Sequence, residues 1–280
     1  MGKPSGFLRI IRPLNCLMMG FAVIVGASLV SALNFSINLL LGFITSFTLT
    51  GASMAINDYY DREIDAINEP NRPIPSGAVS PKEALSFAFV LSLVGFMAAS
   101  MTNMSCLIVA VITWVIFVAY TTKGKRTGLP GNFLVSACVA IPFIYGSFVA
   151  EKRLELAVAI FAVIVFLSNT GREVTKGIVD VEGDKSQNIN TIAVMFGDKT
   201  AAFMASVFLV LAVGLSPLPW LWRLVSKWFL PFVILTDAGL ILSSILLVRD
   251  YSRENARRVK NSILIWFITG LLAFVAGAPS

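Results

Sequence analysis

Nine apolar runs, each close to the length of a bilayer-crossing helix, govern what this chain can fold into. They lie near 8–31, 35–57, 83–101, 104–121, 132–150, 155–171, 201–216, 228–248 and 260–277. A hydrocarbon core about 30 Å thick takes about 20 apolar residues per helix, and lipid offers no water to an open backbone, so such runs must be helical. Composition agrees, with 56% of the 280 residues hydrophobic and 14% charged, against about 25% charged in a soluble domain. The expected fold is all-α: a polytopic membrane bundle of nine transmembrane helices with cytoplasmic cap loops, in one domain over residues 1–280. The segment ahead of the first run is too short, and the run itself too long, for a cleaved signal peptide, so the first span is expected to stay in the protein.

Basic residues orient the bundle, because lysine and arginine accumulate in short cytoplasmic loops. With the N-terminus inside, the cytoplasmic segments hold eighteen of the 22 basic residues, leaving only Lys152, Arg153, Arg223 and Lys227 outside. Miscounting by one span would destroy that asymmetry. The expected protein is thus an integral, multi-pass cell-membrane protein with the N-terminus cytoplasmic and the C-terminus outside. The net charge of +6 reads as this orientation signal, with anionic headgroups and phosphate ligands as partners, and needs no nucleic acid. The chain has no histidine, which removes the usual general base and the usual zinc ligand. Cys16, Cys106 and Cys138 sit far apart within apolar runs, without metal-binding spacing. Any chemistry falls to carboxylates, amides, lysines, arginines, tyrosines or a recruited ion.

Two acidic motifs stand at span ends on the same side. After the second run comes Asn57-Asp58-Tyr59-Tyr60-Asp61-Arg62-Glu63-Ile64-Asp65. On a continuing helix Asn57, Asp61 and Asp65 fall four apart and share one face, while Asp58 and Glu63 leave it to solvate the helix end or pair with Arg62. Carboxylates so stacked repel one another, so a cation should offset them. After the sixth run Arg172, Lys176, Asp180 and Asp184 also recur every four residues. Here an exposed Lys176–Asp180 ion pair is the plainer alternative. Taken together, Asn57, Asp61 and Asp65 align with Lys176, Asp180 and Asp184, as though a four-helix repeat were used twice and followed by a final helix. Repeats about an axis along the membrane normal would bring both stripes to one face. Hard oxygen donors of this kind select magnesium, completed by water and phosphate oxygens.

These residues resemble the UbiA intramembrane prenyltransferases, which carry an NDxxDxxxD motif and a second DxxxD motif. The likeness extends over nearly the whole chain through Asn57 to Asp65, Arg172-Glu173 with Lys176, and Val179 to Lys185, supported by Arg12-Pro13-Leu14-Asn15 and by Tyr120 to Asn132. Members often carry Asp directly after the lysine of the second motif, where this chain has Gly177, so Asp180 and Asp184 remain as ligands there. The stretch Arg12 to Gly20 is similar to an archaeal branch that places a geranylgeranyl group on the free hydroxyl of geranylgeranylglyceryl phosphate, building ether lipid. The resemblance implies a magnesium-dependent transfer of a prenyl group from its diphosphate to a lipid-phosphate acceptor. It implies Asn57, Asp61 and Asp65 for one ion and Asp180 and Asp184 for a second. Arg12, Asn15, Arg62, Tyr120, Lys123, Lys125 and Lys176 would bind the diphosphate, and Asp61, Asp180 and Lys176 would carry the chemistry.

Two alternatives stay open at this level. The acceptor could be an aromatic acid or quinone precursor, or the chain could be a phosphate or ion transporter, whose ligands would lie at mid-membrane. Asp237, near the middle of the eighth run, should face the bundle and find a partner, as an interhelical bond or in the cavity. Phe47, Tyr120 and Tyr145 could border a carbocation, although packing is the commoner role for aromatics. The orientation is open to a direct test. In intact cells a cysteine at Lys152 should react with an impermeant maleimide, and one at Lys82 should react only after permeabilisation; the reverse pattern would invert the topology.

Overall fold

The computed structural model of the chain describes residues 3–31, 35–186 and 188–278, and every regular element among them is helical. The helices are α1 (Lys3–Ile11), α2 (Pro13–Ser28), α3 (Ile37–Asn68), α4 (Pro81–Thr102), α5 (Met104–Thr122), α6 (Leu129–Glu151), α7 (Leu156–Val179), α8 (Val181–Ser186), α9 (Ile192–Phe196), α10 (Asp198–Leu215), α11 (Leu218–Leu221), α12 (Phe229–Arg249) and α13 (Arg253–Gly277). Among the described residues eight helices are long and apolar enough to cross a membrane, nine when the bent pair α1–α2 is counted as one span. The polytopic all-α bundle read from the apolar runs is therefore the observed fold.

The first span is broken where a single helix was expected. α1 and α2 meet at 47°, and Arg12 between them has φ 50 and ψ 72, in the left-handed region. Pro13 disfavours the right-handed helical conformation at the residue before it, and the left-handed alternative costs a non-glycine residue about 1–3 kcal/mol. What holds Arg12 there is its side chain, since its Nη2 donates to Asp58 Oδ1 at 2.7 Å.

Three other spans outrun their apolar segments. α3 continues from residue 57 to Asn68, α7 from 171 to Val179, and α13 begins at Arg253 rather than near 260. At 1.5 Å per residue the 32 residues of α3 extend about 48 Å, well beyond a core about 30 Å thick. The excess is amphipathic and carries the first motif, so hydropathy alone ends the span too early. Ser80 then starts α4 with a capping box, its side chain accepting from Glu83 N while the Glu83 carboxylate accepts from Ser80 N.

Packing uses small residues, as expected where lipid removes the hydrophobic drive between helices. α3 lies against α4, α7 against α10, α12 against α13, and α2 against α6. At the α2–α6 crossing a Cβ on Gly26 would run into the Phe143 carbonyl, and one on Gly146 into the carbonyl of Val23. These glycines let the backbones touch beside the central cavity. Away from it, Ser216 Oγ donates to Asp237 Oδ2 at 2.6 Å, tying the end of α10 to α12. Asp237 is thus an interhelical bonding partner and does not line the cavity described below.

Two measurements test this packing. Gly146→Leu should lower the thermal stability of detergent-solubilised protein by about 1–3 kcal/mol or more through overpacking. Ser216→Ala should lower it by about 0.6–1.7 kcal/mol, the range of interhelical membrane hydrogen bonds, without reducing turnover; a loss of activity at unchanged stability would assign Asp237 to the chemistry instead.

Candidate active site

One cavity of about 680 Å³ opens between the protruding end of α3 and the end of α7. Its mouth is charged, and its depth is lined by uncharged apolar and hydroxyl-bearing side chains. Asn57, Asp61 and Asp65 line it from α3, while Lys176, Asp180 and Asp184 line it from α7 and α8. The two motifs, more than a hundred residues apart in sequence, therefore share one chamber. Both stand at helix ends on one side of the bundle, whereas a transporter reading expected ligands midway along the spans.

The α3 aspartates are each met by a cation from another element. Lys125 Nζ lies 2.6 Å from Asp61 Oδ2, which also accepts from Asn57 Nδ2 at 2.9 Å. Arg72, from the loop after α3, lies 2.6 Å from Asp65 Oδ2 and 3.9 Å from Asp58 Oδ1. Arg12 completes the set on Asp58. Asp58 was expected to leave the motif face for solvent, yet it is buried, with only 2% exposure. The break at Arg12 explains the difference, because it swings the guanidinium beneath the α3 turn where a straight first helix could not deliver it. Arg62, by contrast, pairs with exposed Glu63 at 3.2 Å and lies over the Tyr59 ring.

The second motif differs from the continuous stripe its spacing suggested. α7 ends at Val179, Asp180 caps it, and the chain turns into the short α8 with Asp184 N donating to Asp180 O at 2.8 Å. Lys176 does not take Asp180 as its partner; it lies 3.5 Å from Glu173, which also receives Arg172 at 3.1 Å. Arg253 Nε donates to the Val179 carbonyl at 2.9 Å, placing a cation at the negative end of α7. Burial and the neighbouring Asp180 charge push the Asp184 carboxyl up to about 6, with Thr191 and Lys176 acting in the opposite sense. Two acids brought together in this way favour a cation between them.

A cap is formed by the loops around 123–128 and 188–191. Asn190 N donates to Arg126 O at 3.2 Å, and Gly128, at φ 70, lies so close that a Cβ would strike the Asn190 carbonyl.

Of the residues expected to bind diphosphate, Arg12, Tyr120, Lys125 and Lys176 line the cavity, whereas Asn15, Arg62 and Lys123 do not. Asn15 and Lys123 are exposed. Arg72, Arg126 and Glu173 line the mouth as well, and Arg72 and Arg126 were not singled out from the sequence. Their signal was weak: Arg72 lies in a bend and Arg126 ends a single 3-10 turn over Gly124–Arg126, both outside any α-helical period.

Among the described residues no three acidic side chains gather closely enough to hold a metal without help. The donor set nevertheless suits magnesium, which uses one or two carboxylates and completes its shell with water and phosphate oxygens. Asn57, Asp61 and Asp65 on one wall, and Asp180 and Asp184 on the other, supply such oxygens to one chamber.

Comparison with known proteins bears on the family and the fold. Residues 19–271 match the pattern of the UbiA prenyltransferase family. The digeranylgeranylglyceryl phosphate synthase of Methanopyrus kandleri is 35% identical over 271 residues, covering 96% of this chain and 98% of its own. A solved structure from work on digeranylgeranylglyceryl phosphate synthase in membranes superposes with a TM-score of 0.88 at 32% identity, covering 99% of both chains. A UbiA homolog from Archaeoglobus fulgidus bound to GPP and Mg2+ shares the fold, with a TM-score of 0.70 at 16% identity over 96% of this chain and 99% of its own. The chain belongs to the UbiA prenyltransferase family, and is a membrane-embedded prenyltransferase.

Proposed function

We propose that this enzyme transfers the geranylgeranyl group of geranylgeranyl diphosphate to the free hydroxyl of geranylgeranylglyceryl phosphate, with magnesium, in building archaeal ether lipid. The carrying observation is a single cavity with carboxylates from both halves of the chain and a ring of cations at its mouth, closing into an apolar interior. The acceptor follows from relatives named for that synthesis at 32–35% identity over nearly the full chain. The mouth also has cations beyond those paired with the first motif, Lys176 and Arg126, which suits an acceptor bearing its own phosphate better than an aromatic or quinone precursor.

Ionisation of an allylic diphosphate is limited by charge accumulating on the leaving group, so the site must hold charge rather than provide a strong base. Magnesium bound to the motif carboxylates would supply Lewis-acid charge to that diphosphate. Lys125, Arg72 and Lys176 would contribute fixed positive charge around it. Lys125 and Arg72 are anchored to Asp61 and Asp65, so they are oriented before substrate arrives. The C1–oxygen bond of the donor breaks, the acceptor hydroxyl attacks C1, and its proton passes to the departing diphosphate or a mouth carboxylate. The apolar walls shelter the allylic cation from water. Membrane embedding is then required by the tails, since exposing each methylene to water costs about 0.8 kcal/mol. The mouth is assigned to the cytoplasmic face on the distribution of basic residues.

Asp61→Ala and Asp180→Ala should each reduce turnover of labelled geranylgeranyl diphosphate by about 100-fold or more while the proteins still fold in detergent; activity retained in either, or undiminished by a chelator, contradicts the mechanism. Mass spectrometry of the product made by wild type from separate acceptors decides the acceptor. Protons and metal compete at Asp184, which is charged above a pKa of about 6 and neutral below it. The magnesium concentration giving half-maximal turnover should therefore rise as pH falls through that value, and Asp184→Asn should abolish that rise.

A further inference from the structure

The depth of the cavity carries information that its mouth does not. On α3 the lining runs from Asp61 inward to Thr45, a separation of 16 positions in that helix, or about 24 Å at 1.5 Å per residue. On α6 it runs from Gly131 to Tyr145, about 21 Å by the same rise. On α5 it runs from Thr122 to Ala110, about 18 Å. Three helices thus bring the lining to an end at comparable depth, at Thr45, Ala110 and Tyr145.

Below that level there is packed protein. Tyr145 and Ala110 belong to a buried cluster with Val23, Ala27, Leu39, Ala99, Cys106 and Val149, contributed by five helices. Tyr145 is 4% exposed and Ala110 2%. The side toward lipid is walled by Trp114, whose ring packs on Phe96 and Phe117 at 6.0 and 5.8 Å. Trp114 also borders a separate groove of about 340 Å³ between α4 and α5, so its indole is a partition between the chamber and that groove.

A geranylgeranyl main chain has 15 carbon–carbon bonds, and at about 1.2 Å of extended rise per bond it measures about 18 Å. With the terminal phosphate at Asp61, the C1–O–P–O–P head takes about 6 Å, so head and tail together span about 24 Å and end at the Thr45–Tyr145 level. One further isoprene unit adds four bonds, about 5 Å, and would have to enter the packed cluster. We infer that Tyr145, seated with Thr45 and Ala110 at the closed end of this cavity, is a specificity-determining residue that limits the donor tail to four isoprene units. The inference rests on the prenyl-transfer reading of the cavity but not on which acceptor is used. The ring does the limiting, because its bulk fills the end of the chamber.

The test compares C15, C20 and C25 prenyl diphosphates as donors, in kcat/KM, with purified full-length protein in lipid nanodiscs. Wild type should prefer C20 over C25 by at least about tenfold, in keeping with what a filled apolar pocket can discriminate. Tyr145→Ala should raise the C25/C20 ratio about tenfold, whereas Tyr145→Phe, which retains the ring, should leave the ratio where it is. Ala110→Leu, filling the same level from α5, should shift preference toward C15. Equal use of C20 and C25 by wild type overturns the inference without any variant having to fold, and so does an unchanged ratio in an active Tyr145→Ala. The ratios are taken with every acceptor that wild type turns over. Failure of geranylgeranylglyceryl phosphate as acceptor would therefore refute the proposed function while leaving the tail-length result readable.

Discussion

Repulsion between carboxylates on one helix face, and its relief by positive charge from elsewhere in the chain, is the interaction on which the rest of this site depends. Asp58, Asp61 and Asp65 occupy two turns of α3, and stacked acids at this spacing weaken a helix. The helix survives because Arg12, Lys125 and Arg72 arrive from α1–α2, the α5–α6 connection and the loop after α3 respectively. Each cation brings its element with it. The break in the first span, the turn after Asn68 and the cap between α5 and α6 are thereby tied to the first motif. The site and the architecture of this end of the bundle are the same set of contacts.

Helix length converts that arrangement into a chamber. α3 and α7 continue past their apolar stretches, and their last turns carry the charged residues of the site. Their lower turns stay among lipid-like side chains. A substrate with a charged head and a long apolar tail meets both environments along one axis, in the order its chemistry needs. Close backbone contact between α2 and α6 through Gly26 and Gly146 holds the walls of this chamber together without bulky side chains filling it.

Much of this was legible in the sequence because it obeys helical periodicity or bilayer length. Nine spans followed from nine apolar runs, and Asn57, Asp61, Asp65, Asp180 and Asp184 followed from a spacing of four. What was not legible depended on turns. The left-handed Arg12 changes where its own guanidinium reaches, and so converts Asp58 from a solvent-facing acid into a buried partner. Arg72 and Arg126 act from loops whose course no periodic pattern encodes. Asn15, put forward with the Arg12-Pro13-Leu14-Asn15 stretch, is exposed on the helix that restarts at Pro13 and does not line the cavity. Spacing also overstated the second motif, where the helix ends at Asp180 and a new one begins.

The central claim is that both motifs act on one diphosphate. A structure of the wild-type enzyme with magnesium and a non-reactive thio-analogue of geranylgeranyl diphosphate measures this most directly. The account predicts a diphosphate bridged through metal to Asp61 or Asp65 on one side and to Asp180 or Asp184 on the other, with its tail running inward between α3 and α6. A diphosphate held by one motif alone, with the other turned to solvent, would contradict it.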